Sequence, residues 1–304
     1  MKNILFRADS SSTIGTGHIM RDLVLASQYK DANITFATQE LQGNINNKII
    51  KAGYIVKILK SNSKKELKKI ILNLNIDMII FDNYDIDYKF EKYIKEKTNI
   101  IILSLDDTYE KHYCDILLNH NIGADIKKYK NLVPSTCKIM CGERYTLLRD
   151  EFYKEKKKIY INNKRFNIFV SMGGADTSDL NISILKLLNK FKSIDITLVT
   201  TSANKNLKKL KKYIKNKKNI YLYVNSDKIA KLMKKSDLAI VTPSVTINEI
   251  KFLEVPFIAI KTASNQKDIY NYLKKEHFPV IKVFKTSRLK KELIKLLKKL
   301  KNGR

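Results

Sequence analysis

Tryptophan is absent from the 304-residue chain, and cysteine, histidine and proline are scarce, at three, four and four. Cys114, Cys137 and Cys141 are too few and too irregularly spaced for a disulfide framework. Cys137 and Cys141 lie four apart and could share one face of a strand, but a metal there would need further ligands, and only four histidines exist. Buried thiols are the simpler expectation. Long apolar runs are missing too: Met78-Ile79-Ile80-Phe81 is far short of a membrane span. The N-terminus passes from one lysine directly into a strand pattern and lacks the apolar core of a signal peptide. A cytoplasmic protein without a membrane partner is expected. Acidic residues number 30 against 59 basic ones, giving a net charge of +29. That balance raises nucleic-acid binding as a candidate. The lysines, however, are scattered in small groups (Lys64-Lys65, Lys68-Lys69, Lys156-Lys157-Lys158, Lys208-Lys209, Lys211-Lys212, Lys290-Lys291), with no interleaved aromatics to stack bases. Solvated helix faces explain them better, so no nucleic-acid partner is expected. A basic surface would still attract a polyanionic small ligand.

What the chain does have is a 44% hydrophobic content and a length suited to two domains. Short apolar runs alternate with helical patterns. In the first half, strands are read at Ile4–Arg7, Ile34–Ala37, Ile55–Leu59, Met78–Phe81, Ile100–Leu105 and Ile116–Leu118. The alternation breaks between Arg149 and Arg165, around Lys154, Lys156-Lys157-Lys158 and Asn162-Asn163, and then restarts. Strands follow at Asn167–Val170, Ile196–Thr200, Ile220–Tyr223, Leu238–Val241 and Phe257–Ile260, with helices between them, including Thr246–Phe252. The basic segment Ser287–Leu300 carries Leu289, Leu293, Ile294, Leu297 and Leu300 on one side, which suits a helix packed on the rest of the protein better than one lying on a membrane surface. Continuous apolar strands alternating with helices indicate parallel sheets covered on both faces. The expected fold is α/β: two Rossmann-like domains facing a central cleft, residues 1–150 and 151–304.

Each half opens on a strand feeding a glycine loop. The first loop runs through Ser10-Ser11-Ser12 to Gly15-Thr16-Gly17-His18, the second through Met172-Gly173-Gly174-Ala175-Asp176. A strand, a glycine turn and a helix start together aim backbone N–H groups at an anion. In a doubly wound sheet such loops lie at the carboxyl ends of strands, where ligands bind. His18 falls near a helix start, where the dipole favours a neutral ring, as a general base requires; bracing of the loop is the competing explanation. Met20 occupies the third glycine position of a dinucleotide fingerprint, which weakens NAD binding even with Glu40 in reach as a ribose acid. Ser244 and Thr246 could offer hydroxyls to a diphosphate, and Glu249 could accept both hydroxyls of a ribose. Thr246 and Glu249 equally spell a capping box. Asn265 and Gln266 suit sugar hydroxyls or an ordinary polar loop. Asp82-Asn83-Tyr84 and Asp106-Asp107 end strands, and their carboxylates could hold a metal with phosphate.

Together these residues resemble a known family. Asp9-Ser10-Ser11-Ser12, Ile14-Gly15, Gly17-His18 and Arg21-Asp22-Leu23 are similar to the N-terminal signature of the nucleotide-sugar hydrolases of pseudaminic acid biosynthesis. Asp82-Asn83-Tyr84, Leu105-Asp106-Asp107, Cys114-Asp115-Ile116-Leu117-Leu118-Asn119, and the run from Cys141-Gly142 through Tyr145, Leu147-Leu148-Arg149, Glu151 and Phe152 follow in the same order. Met172-Gly173-Gly174, Asp176, Ser244, Asn248-Glu249 and Asn265-Gln266 complete the pattern over nearly the whole chain. The resemblance implies a GT-B-like, two-domain enzyme that cleaves UDP-2,4-diacetamido-2,4,6-trideoxy-β-L-altropyranose with inversion, without metal or cofactor. It implies that His18 activates water and Glu249 binds ribose, with Gly173, Gly174 and Ser244 along the diphosphate. Gly15, Gly17, Arg21, Tyr84, Arg149, Thr246, Asn248, Asn265 and Gln266 join the implied substrate-binding set. The partner is then a small UDP-sugar, and the oligomeric state stays open. A GT-B glycosyltransferase passing its sugar to another acceptor is the rival within enzymes.

Overall fold

The computed structural model describes residues 1–160 and 165–302. The chain forms two compact units, Met1–Leu147 and Leu148–Arg304. In the first unit the strands β1 (Lys2–Ala8), β2 (Ala32–Gln39), β3 (Ile55–Leu59), β4 (Met78–Asp82), β5 (Ile101–Leu105), β6 (Ile116–Asn119) and β7 (Lys138–Cys141) form one sheet of order β3-β2-β1-β4-β5-β6-β7. Every pairing is parallel. The helices α1 (Gly17–Ala26), α2 (Asn46–Lys51), α3 (Lys64–Asn73) and α4 (Tyr88–Thr98) are the crossovers. Alternate strand residues serve opposite faces. Leu5, Ile79 and Ile102 pack with Leu67 and Ile71 of α3 and Phe90 and Ile94 of α4. Ile4, Phe6, Ile80 and Leu103 pack with Ile19 and Leu25 of α1 and Ile49 of α2. Covering both faces is what lets β4 be buried at all five positions.

The second unit opens on α5 (Asp150–Lys156). Then β8 (Phe166–Ser171), α6 (Asn181–Leu188), β9 (Ile194–Thr200), α7 (Leu207–Ile214), β10 (Ile220–Val224), α8 (Ile229–Lys234), β11 (Leu238–Val241), α9 (Thr246–Phe252), β12 (Phe257–Ile260), α10 (Lys267–Lys275), β13 (Val280–Ile281) and α11 (Thr286–Asn302) build a parallel sheet of order β10-β9-β8-β11-β12-β13. Leu289 and Leu293 anchor α11 in this unit's core, as the amphipathic pattern predicts. On α7 only Leu210 is buried, while Lys208, Lys209, Lys211 and Lys212 face solvent.

The sequence-based expectation of a break after Arg149 misses α5. Its hydrophobic face is one residue, the fully buried Phe152, set among charges, so no helical period is visible. Asn162 and Asn163, also read as part of the break, lie outside the described residues. β7 and the two-residue β13 were not foreseen either, being short and partly exposed.

Strand order reverses between β1 and β4 in the first unit and between β8 and β11 in the second. At such points two neighbouring crossovers leave on opposite faces, which opens a crevice beyond the strand ends. Each glycine loop emerges at one of these points.

Candidate active site

The end of β1 is fixed by a buried ion pair. Arg7, wholly buried, donates from Nη2 to Asp9 Oδ2 at 2.7 Å. Asp9 also accepts from the Gln39 amide at 2.7 Å and from Asn83 Nδ2 at 2.9 Å, which ties together the ends of β1, β2 and β4. Asn83 accepts the Asp85 amide in turn, so its side chain braces the loop. The serines do the same for the glycine loop. Ser10 Oγ accepts the Ile45 amide, and Ser11 Oγ accepts the amides of Thr13 and Ile14. Ser11 and Gly15 exchange backbone hydrogen bonds at 3.2 and 2.8 Å, and Gly15 has φ +87°. Only glycine adopts that conformation without strain. The Gly15 amide therefore closes its own loop and is not aimed at an anion, in contrast to the expectation from sequence.

What the loop does is launch α1 with His18 in its first turn. His18, 7% exposed, places Nδ1 2.6 Å from Oδ1 of Asp82, the last residue of β4. Arg21 lies one turn further along α1, on the same face. It donates from Nε to Asp82 Oδ2 at 2.6 Å and from Nη1 to Asp107 Oδ2 at 3.0 Å. Tyr84 donates to Asp107 Oδ1 at 2.8 Å, and its ring meets the His18 ring edge-on, 4.9 Å between centroids and 81° between planes. His18, Arg21 and Tyr84 thus form one cluster, held by Asp82 and Asp107. Burial works against the Asp82 charge, but Arg21 and His18 outweigh it and hold the carboxyl far below the usual range.

Two further groups from this unit were not singled out from sequence. Burial, reinforced by Arg21, pushes His120 down to about 4, so it stays neutral near pH 7. Burial and then the neighbouring Asp82 raise Asp22 well above an ordinary carboxyl. The cluster therefore sets the two acidic side chains of Asp82 and Asp107 against one guanidinium. Asp82 fixes the tautomer, with the proton on Nδ1 and the lone pair on Nε2, which makes no hydrogen bond among the described residues. That is the arrangement of a base oriented by a carboxylate.

The aspartates read as possible metal ligands are committed elsewhere. Asp106 accepts from the amides of Thr108, Tyr109 and Glu110 and from the Thr108 and Tyr129 hydroxyls, which knots its own loop. Among the described residues there is no group of three or more His, Cys, Asp or Glu that could hold a metal ion. Nor is any described helix long and apolar enough to cross a membrane.

In the second unit Gly173 has φ +80°. The Gly174 carbonyl accepts from the Thr200 and Thr201 hydroxyls and the Thr201 amide, each at 2.9 Å. A Cβ at Gly174 would lie 2.8 Å from Thr201 Cγ2, so the close approach requires glycine. The start of α6 is filled by the protein itself: Asp176 accepts the amides of Leu180 and Asn181, both at 3.2 Å. By contrast, α9 has no side-chain cap. Thr246 is its first residue, and Ser244 lies just before it, its Oγ 3.4 Å from the Thr242 hydroxyl. The capping box between Thr246 and Glu249 does not form. Glu249 instead bonds Arg149 Nη2 at 3.1 Å, and Arg149 reaches Glu151 with its other nitrogen. Burial raises the Glu249 pKa, only partly offset by Arg149. Asn248 is buried beside it on α9. Gln266 accepts from the Thr262 and Ala263 amides and so serves its turn, whereas Asn265 is exposed.

No protein-family model matches the chain. Among proteins of known sequence, the UDP-2,4-diacetamido-2,4,6-trideoxy-beta-L-altropyranose hydrolase of Campylobacter jejuni is 42% identical over 277 residues, 91% of this chain and 98% of its own. Two solved structures have a similar fold. MurG of Acinetobacter baumannii gives a TM-score of 0.68 at 13% identity, with 98% of this chain and 91% of that one covered. Anabaena HepE, in complex with UDP-glucose, gives 0.61 at 12%, with 99% and 91% covered. The two parallel-sheet units thus have the GT-B fold. With that fold and near end-to-end identity at this level, the chain belongs to the family of the UDP-2,4-diacetamido-2,4,6-trideoxy-beta-L-altropyranose hydrolase.

Proposed function

We propose that the protein hydrolyses UDP-2,4-diacetamido-2,4,6-trideoxy-β-L-altropyranose to UDP and the free sugar, the step the name of the Campylobacter relative describes. The observation that carries the chemistry is the His18–Asp82 pair, 2.6 Å apart at the first unit's switch point. Water gives a proton to Nε2 of His18 as its oxygen bonds to the anomeric carbon from the face opposite UDP. The bond from that carbon to the β-phosphate oxygen breaks, and its electron pair leaves with UDP, so the configuration inverts. Asp82 stabilises the imidazolium that results. A base so placed contributes on the order of 10²–10⁴-fold.

Each unit is assigned its part. In the first, Gly17, Arg21 and Tyr84 accompany His18 on the sugar and water side. In the second, Glu249 accepts the ribose hydroxyls while Arg149 holds its carboxylate in place. Gly173, Gly174, Ser244 and Thr246 serve the diphosphate, with Asn248 supporting α9 and Asn265 free to reach the sugar. We assign the enzyme to the cytoplasm, a reducing compartment that suits its free thiols: Cys114 and Cys137 sit with Sγ atoms 3.7 Å apart and unbonded.

Incubation with the UDP-sugar and no acceptor tests the reading. UDP and free sugar should form in equal amounts, and the first-formed anomer, seen by proton NMR, should be inverted. Turnover that begins only when a non-water acceptor is added would make the protein a transferase.

A further inference from the structure

A second buried polar cluster lies beside the His18 site and is unused by the chemistry above. Glu91 of α4 is wholly buried. It accepts from the Ser104 hydroxyl at 2.6 Å, from His112 Nδ1 at 2.8 Å and from the Tyr113 amide. His112, 8% exposed, directs Nε2 toward Asp106 Oδ2 at 4.0 Å, and its own amide donates to the Leu132 carbonyl at 2.8 Å. The imidazole therefore hydrogen-bonds Glu91 from α4 and, when protonated, lies at ion-pair range of Asp106 in the loop between β5 and β6, its Nε2 making no hydrogen bond among the described residues. That loop turns at Tyr109, with φ +63°, and is knotted by Asp106. Its next side chain, Asp107, is the one that holds Arg21 and Tyr84. Asp106 faces inward to the brace and Asp107 outward to the site, on adjacent residues.

We infer that His112 is a positioning residue: hydrogen-bonded to Glu91 and to the Leu132 carbonyl, and charge-paired with Asp106 when protonated, it fixes the 106–113 loop and, through Asp107, the setting of Arg21, Tyr84 and His18. The charged and titratable groups that face it are Glu91 from α4, Asp106 and Glu110 from its own loop, and Cys137 from the segment before β7. Burial disfavours its charged form, but Glu91, Asp106 and Glu110 outweigh that and raise its pKa above the ordinary histidine value. A raised folded value means the brace is complete at and below the unfolded histidine range. It is lost as pH rises through the raised value, when Nε2 turns a lone pair toward Asp106. Loss of the brace therefore gives activity an alkaline limb.

The test compares wild type, His112→Gln, Asp107→Asn and the double variant across pH, with hydrogen exchange read over residues 106–113. His112→Gln should lower kcat about 10-fold, as a small misplacement of catalytic groups does. It should also abolish the alkaline limb and speed exchange in the loop at neutral pH, where wild type does so only at high pH. Because His112 acts through Asp107, the double variant should be no slower than Asp107→Asn alone. Glu91→Gln, which keeps an acceptor for Ser104 and Tyr113, should move each readout in the same direction if His112→Gln proves unstable. An unchanged alkaline limb, additive losses and loop exchange equal to wild type would overturn the inference. The kinetic arm rests on the hydrolase reading, whereas the exchange arm does not: a wild type without turnover sinks that reading and still leaves exchange to decide on the brace.

Discussion

The two glycine loops look alike in sequence and occupy equivalent places, at the strand-order reversals of their sheets. They are spent differently. The first uses its amides from Ser11 to Gly15 on itself and on the Gln42 carbonyl, and projects side chains, His18 and Arg21, from the helix it launches. In the second, Asp176 occupies the start of α6, while α9, the crossover after the neighbouring strand β11, is left without a side-chain cap. A shared strand–loop–helix plan thus supports two different chemistries. In the proposed reading one end presents a base with its counter-charge, and the other presents hydroxyls and a carboxylate to a nucleotide. The division follows from which polar groups each loop satisfies internally.

The largest expected effect tests the first half of that contrast. His18→Asn should lower kcat roughly 10²–10⁴-fold and leave the affinity for UDP, measured by calorimetry, as in wild type. Turnover within a factor of ten of wild type would remove His18 from the chemistry. Asp82→Asn comes next. It strips the counter-charge from His18 and Arg21 at once, and breaking a buried pair costs about 3–5 kcal/mol in stability, so kcat and the melting temperature should fall together. Because the folded pKa of Asp82 is depressed, the stabilisation it provides is present above the unfolded carboxylate value. It is lost only as pH falls through the depressed one. Wild type should therefore keep this cluster intact through mild acid. Melting that collapses near the ordinary carboxylate range because of this pair, and is insensitive to acid in the Asn variant, would contradict the assignment.

The place of His18 in the first turn of α1 was legible because a histidine in a glycine loop between a strand and a helix has few places to go. Its partner was not: Asp82 is 64 residues away, and no local spacing couples them. The three-residue step from His18 to Arg21 was the available hint, since on a helix it places both on one face. The sheet was readable from its apolar runs, and the helix over Thr246–Phe252 has the bounds the sequence suggested. The helix α5 was hidden because a single phenylalanine holds it down. That the Glu249 carboxylate leaves the capping box was beyond sequence as well, because Arg149, which bonds it, is 100 positions away.

Glu249 tests the other half of the contrast. Glu249→Gln should weaken UDP about 10-fold or more, the worth of a hydrogen bond to a charged group, with kcat much less affected. Burial raises the wild-type pKa, so on acidification Glu249 takes up a proton sooner than an exposed carboxylate would. Affinity for UDP should then begin to fall at a higher pH than an ordinary carboxylate would give in wild type, and stay flat in the Gln variant. Equal pH dependence in both proteins would detach Glu249 from the nucleotide.

The smallest effect decides whether α6 is truly closed to ligand. Asp176→Ala removes the acceptor for the Leu180 and Asn181 amides, and loss of such a cap costs about 1 kcal/mol. If the carboxylate only caps, chemical denaturation should show that loss while the KM for the UDP-sugar stays put. If the freed helix start can take an anion, free phosphate should protect the variant against denaturant more than it protects wild type, because the variant alone would offer unpaired amides to it. A variant whose KM rises while its stability is unchanged would mean that Asp176 touches the ligand directly. The second loop would then resemble the first in exporting a side chain, and the contrast between the two would be lost.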